Sequence, residues 1–192
     1  MSDPTLTFSN PAEWESWLEL NGSTAAGLWL RLAKKSAPQQ TISYAQALES
    51  ALCYGWIDGQ KRAENEHYWR QRFTPRKARS LWSKINKNKA EALAAAGRMR
   101  PAGLREIDRA RQDGRWEAAY SPASTSTVPD DLQKALAENK KANAFFATLN
   151  SQNRYAILFR IQNAKRAETR ARKIAQFVEM LAKGERIHPQ SQ

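Results

Sequence analysis

Residues 56–73 read WIDGQKRAENEHYWRQRF, in which WIDGQKR and HYWRQRF are joined by the polar AENE. Two runs enriched in aromatic and β-branched residues around a short polar connection predict a β-hairpin. Side chains alternate across a strand. Ile57 therefore takes one face of its strand, and Trp69 and Phe73 one face of theirs. Trp56 and Asp58, with Tyr68, Arg70 and Arg72, fall on the alternate positions. The first set reads as core and the second as a site.

Upstream, GLWLRLAKK from Gly27 sets Leu28, Leu30 and Leu32 against Trp29, Arg31 and Ala33, the period of a half-buried third strand. Two helices frame it. Ser9 or Asn10 caps the first, with Pro11 in its first turn, Trp14, Trp17 and Leu18 on one side, and Asn21-Gly22 at its end. Ser43 opens the second, whose apolar side carries Ala47, Leu48, Ala51 and Leu52 before the Gly55 stop. Asn86–Ala96 and Pro101–Arg111 read as short helices.

Residues 121–129, SPASTSTVP, have the composition of a linker, and Pro129 starts a new helical series. Leu132 with Leu136, then Phe145, Phe146 and Leu149, then Tyr155, Leu158 and Ile161, then Ile174, Val178 and Leu181 predict three or four packed helices. The expected fold class is α+β. Residues 1–120 form a small antiparallel sheet packed by helices, 121–129 the linker and 130–192 an all-helical segment.

The 192 residues carry a net charge of +12, with −3 in residues 1–60, +10 in 61–115 and +5 in 116–192. A basic centre favours an anionic small molecule, an acidic protein, nucleic acid or an anionic membrane surface as partner. Cys53 is the only cysteine, which excludes an internal disulfide and a multi-cysteine metal site. With two histidines no His-rich metal centre assembles, and neither a metal nor a cofactor is expected. MSDPTLTFSN lacks the features of a secretory signal and no later stretch is apolar enough to span a bilayer, so the expected location is the cytoplasm.

Residues 70–89, RQRFTPRKARSLWSKINKNK, hold eight Lys or Arg and no acid, with Phe73, Leu81 and Trp82 among them. Cations interleaved with aromatics suit an anionic or planar ligand. The candidate site is Trp56, Asp58, Lys61, Arg72, Arg76, Ser80, Trp82, Ser83 and Asn86, expected to cluster and stay partly accessible. Each has a plainer reading. Asp58 beside Arg70 or Arg72 is an ion pair before it is a general base, and either tryptophan is core before it is a stacking platform. Cys53 with His67 would make a nucleophile and base, but Cys53 lies on the apolar stripe of its helix.

The strings ALCYGWIDGQ (51–60), RFTPRKARSLWSKIN (72–86), GRM with PAG (97–103), DGRWEAAY (113–120) and VPDDLQKAL (128–136) resemble the bacterial YdeI/OmpD-associated family, sometimes labelled bacteriocin-protection proteins. The resemblance covers nearly the whole chain. It implies a YjbR/CyaY-like α+β amino-terminal part, a helical carboxy-terminal part, and a role in stress or cationic antimicrobial-peptide tolerance through an envelope porin.

Three functions follow. The leading one is a non-catalytic binding protein that uses its aromatic-basic surface for an anion or a protein. The second is a nucleic-acid binder using the same face, flanked by six cations between Arg160 and Lys173. The third is an enzyme with Asp58 as general base, ranked below a non-catalytic role.

Overall fold

The computed structural model describes residues 3–190, which divide into two compact units, one ending at Ala119 and the other starting at Tyr120. The first is α+β. In chain order it contains β1 (Thr5–Leu6), α1 (Pro11–Asn21), β2 (Leu28–Ala33), α2 (Tyr44–Cys53), β3 (Trp56–Ala63), β4 (Tyr68–Pro75), α3 (Lys84–Ala95) and α4 (Pro101–Gln112). The strands lie in the order β1-β2-β4-β3, with β1 parallel to β2 and the other pairs antiparallel. The sheet is thus mixed and four-stranded, because the two-residue β1 adds to the edge of the three strands expected. So short a strand has no alternation to read.

Local chemistry sets the helix ends. The Asn10 side chain accepts from the Glu13 N–H, with Pro11 at the first helical position of α1. Ser43 and Gln46 form a capping box at the start of α2. Gly55, with φ +76°, follows the end of α2 in the left-handed conformation that glycine adopts without strain, and turns the chain into β3.

One face of the sheet meets the core. Leu28, Leu30 and Leu32 of β2 share it with Phe73 of β4, and Trp14 and Leu18 of α1 with Ala47, Leu48, Ala51 and Leu52 of α2 are buried in the same cluster. Between Asp58 and Lys61, β3 advances three residues while β4 advances two, from Phe73 to Gln71. This is a β-bulge. The buried Gln71 amide fills it, donating to the carbonyls of Gly59 at 2.9 Å and Gln60 at 3.2 Å.

Beyond a short 3-10 turn, Ala123–Thr125, the second unit contains α5 (Asp130–Ala137), α6 (Lys140–Thr148), α7 (Ser151–Gln162) and α8 (Ala167–Ala182), so every element after Val128 is helical. Its core is built from Leu132, Leu136, Phe146, Ile157, Ile161 and Leu181. Asn153, fully buried, ties the end of the chain to α7 by donating to the His188 carbonyl at 3.1 Å and accepting from its N–H at 2.8 Å.

Arg170 of α8 grips Asp131 in the first turn of α5 with two nitrogens, at 2.5 and 2.9 Å. That bond, with a further one from the Leu132 N–H, holds the Asp131 carboxyl below its usual range. A depressed folded value means stability that is present above the unfolded pKa and lost as pH falls through the folded one. The pair is partly exposed, so Asp131→Asn is expected to cost less than about 1 kcal/mol at neutral pH. Urea titrations should show that difference vanish in strong acid, and a difference that persists there would refute it.

Candidate functional site: an arginine-covered sheet face

The sheet face opposite the core carries the alternate side chains of β2 and β4. Cross-strand pairing sets Trp29 against Arg72, Arg31 against Arg70 and Ala33 against Tyr68, and Arg62 of β3 lies opposite Arg70. Directly paired residues point the same way. Four arginines from three strands therefore share one surface.

Guanidinium groups lie on aromatic rings here. The Arg62 guanidinium carbon is 4.6 Å from the Trp29 ring centroid and that of Arg70 is 6.0 Å away, leaving Trp29 only 8 % exposed. Arg31 lies 5.8 Å from the Tyr68 ring. Such contacts contribute roughly 0.5–1 kcal/mol each at accessible sites and fix the planes of the charged groups. Two carboxylates are interleaved. Glu64 accepts from Arg31 at 2.5 and 3.2 Å and stands 3.7 Å from Arg70, while Asp3 accepts from Arg72 at 2.6 Å. The bond to Glu64 raises the Arg31 pKa further, against the opposing effect of burial. Arg31, Arg70 and Arg72 keep about a third or more of their side-chain surface in solvent, and Arg62 is exposed.

Apart from Arg72, the expected site residues do not share this surface. Because Asp58 pairs with Phe73, Trp56 and Asp58 belong to the core side and Ile57 to the arginine side, the reverse of the alternation expected. Trp56 is 1 % exposed, packs edge-on against Trp14 and Trp17, and donates its indole N–H to the Gly22 carbonyl at 3.0 Å. The partner of Asp58 is neither Arg70 nor Arg72 but the Tyr44 hydroxyl, at 2.7 Å. Burial and that carboxylate push the Tyr44 phenol well above its ordinary value. Lys61, moved by the bulge to the same side, stands 4.4 Å over the Trp69 ring.

Of the named residues only Arg72 lies on the arginine face. Arg76, Trp82 and Ser83 are buried rather than partly accessible, and Trp82 packs against Trp116 with centroids 4.7 Å apart. Ser83 caps α3 by accepting from the Asn86 N–H at 3.1 Å, and the Ser80 hydroxyl accepts from the Lys77 N–H at 2.9 Å. The nine residues therefore fall in four places: Arg72 on the arginine face, Trp56 in the core, Asp58 and Lys61 on the core-side edge near Tyr44 and Trp69, and the rest in the 76–86 segment. Cys53 is buried at the end of α2, and desolvation pushes its thiol pKa up, which disfavours the thiolate.

Trp29, Arg31 and Arg62 were absent from the expected site. The alternation of GLWLRLAKK already opposes Trp29 and Arg31 to the core leucines, while the side taken by Arg62 depends on the bulge at Gly59–Gln60, for which Gly59, a glycine inside a strand run, is the sequence signal. Among the described residues no three His, Cys, Asp or Glu side chains come together as a metal site, and no helix is long and apolar enough to cross a membrane.

Two family models match the chain. Residues 6–106, just over half of it, match a family described as Domain of unknown function (DUF8412), and residues 125–184 match Bacteriocin-protection, YdeI or OmpD-Associated. No curated protein and no solved structure matches. The chain belongs to the DUF8412 family through its α+β unit and to the YdeI/OmpD-associated family through its helical unit.

Proposed function

We propose that this chain is a non-catalytic binding protein that engages an acidic protein through the arginine face of its sheet. The observation that carries the reading is the set of four arginines from three strands, two of them lying against Trp29, on one accessible surface. Arginine is enriched at protein interfaces because its planar head stacks and binds carboxylates in bidentate fashion. Glu64 and Asp3 favour a protein over nucleic acid, since carboxylates among the arginines oppose a continuous phosphate track while suiting a partner of mixed charge. Trp29 is covered and so offers no bare ring for a base.

The description of the matched helical family directs the physiological test to bacteriocin or antimicrobial-peptide tolerance. A basic face repels a cationic peptide, so the effect would run through the acidic partner. The proposed compartment is the cytoplasm, which fractionation of the native host checks.

Arg62→Gln with Arg72→Gln removes one exposed charge and one half-buried charge paired with Asp3, and is expected to leave stability within about 1 kcal/mol of the wild type. Capture from native-host extract, with and without nuclease, should retain an acidic protein on the wild type and lose it at least about tenfold on the double variant. Equal retention on both refutes the proposal. Oligonucleotide binding that falls steeply between about 50 and 200 mM salt, and is lost in the variant, replaces it with the nucleic-acid reading.

A further inference from the structure

In the helical unit, α8 carries an apolar face that the shorter α5 covers only in part. Along it Ala167, Ala171, Ile174, Val178 and Ala182 recur at steps of four, three, four and four residues, the repeat that lies along one side of a helix. With Ala135 of α5 they line an open groove of about 800 Å³. Ile174 and Val178 pack with the core of the unit, while Ala167, Ala171 and Ala175 are exposed.

The groove reverses the sign of the surface around it. Between Tyr120 and Gln192 the chain has twelve Lys or Arg and six acids. Three of those acids, Asp131, Glu138 and Glu179, line the groove, and Arg170 is its one cation. Arg170 is committed to Asp131, which leaves two carboxylates in excess. Glu138 forms no ion pair among the described residues. Glu179 meets Lys183, one turn along its own helix at 2.7 Å, in a solvent-exposed pair that binds weakly.

A trough that follows α8 for about 22 Å fits a second helix of roughly four turns, and its alanines let the two axes approach to about 8 Å. The excess carboxylates select a helix of positive charge. We propose that this groove seats a basic amphipathic helix of a partner protein. The apolar side of that helix lies on Ile174 and Val178, and its Lys or Arg side chains meet Glu138 and Glu179. A second copy of this chain fits less well, since two chains of net charge +12 repel. The groove belongs to the helical unit and is opposite in charge to the arginine face, so either proposal can fail alone.

Fluorescence anisotropy of a labelled 15-residue amphipathic helix built from Leu and Lys, titrated with the full chain, tests it. Saturable binding of one peptide per chain is expected. Ala171→Trp and Ala175→Arg, each placing a larger side chain in the groove from an exposed position, should weaken it by about tenfold or more. Glu138→Lys with Glu179→Lys should weaken it by about tenfold, whereas Glu168→Lys with Glu185→Lys, the same change in net charge at exposed positions off the groove, should stay within about twofold of the wild type. A Leu and Gln peptide with the same apolar side should bind about tenfold more weakly than the basic one. Absence of saturable binding overturns the proposal, as does an equal loss in the two charge-reversed pairs or equal affinity for the uncharged helix. Sedimentation equilibrium showing a dimer that Ala171→Trp dissociates would overturn it in favour of a second copy.

Discussion

Replacing Trp14 with alanine is expected to lower the unfolding free energy by about 4 kcal/mol, within the range for truncating a buried aromatic. Trp14 is fully buried, and its ring lies 5.3 Å from Phe8, 5.4 Å from Trp17, 6.2 Å from Trp56 and 5.9 Å from Phe73. Its indole N–H donates to the Ala47 carbonyl at 3.1 Å. One side chain thus joins α1 to α2, to the segment after β1, and to both strands of the hairpin. Alanine would remove the packing and leave the Ala47 carbonyl without its donor. Chemical denaturation should show a lower midpoint with an unchanged slope, the signature of lost stability rather than altered compactness. Trp14→Phe retains most of the ring contacts and should lose less than half as much. A loss under about 1 kcal/mol for the alanine variant would mean that the core closes without this residue, contrary to its burial.

Much of the fold was legible because the local and tertiary signals agree. The cap at Asn10, one of the two candidates, with Pro11 after it, the start of α2 at Ser43 and the alternation of Leu28, Leu30 and Leu32 all stand where their chemistry places them. The candidate site was less legible because strand parity depends on register, and register is a tertiary property. Opposing Asp58 to Phe73 turned Trp56 inward and Ile57 outward, and the bulge at Gly59–Gln60 then returned Lys61 to the core side and sent Arg62 to the other. One inserted residue inverts every position beyond it.

The acid-free run at 70–89 misled in a different way. Its charge was read as surface, yet Arg76 is buried against Trp82, and Arg115 and Trp116, from a segment more than thirty residues later, complete the cluster. Composition reports the cations of a segment but not the aromatics that another segment brings to cover them. Arg72 was the one named residue to reach the arginine face, because its parity is set within β4 and upstream of no irregularity in that strand.

Gly103→Ala should destabilise the protein by about 2–3 kcal/mol, although helix propensity alone would favour alanine by roughly 1 kcal/mol. The opposition comes from packing. A Cβ on Gly103 would stand 2.3 Å from the Cys53 carbonyl oxygen and 2.7 Å from that of Leu52, both backbone atoms at the end of α2 that cannot rotate away. The Arg100 N–H donates to the same Cys53 carbonyl at 3.1 Å, so α4 begins against α2 and is pressed to it one turn later. The methyl can be accommodated only if α4 moves. Leu104→Ala, at the neighbouring but exposed position, should change stability by less than about 0.5 kcal/mol and so separates the steric effect from helix propensity. A Gly103→Ala variant that melts above the wild type would show that α4 does not rest on the α2 carbonyls.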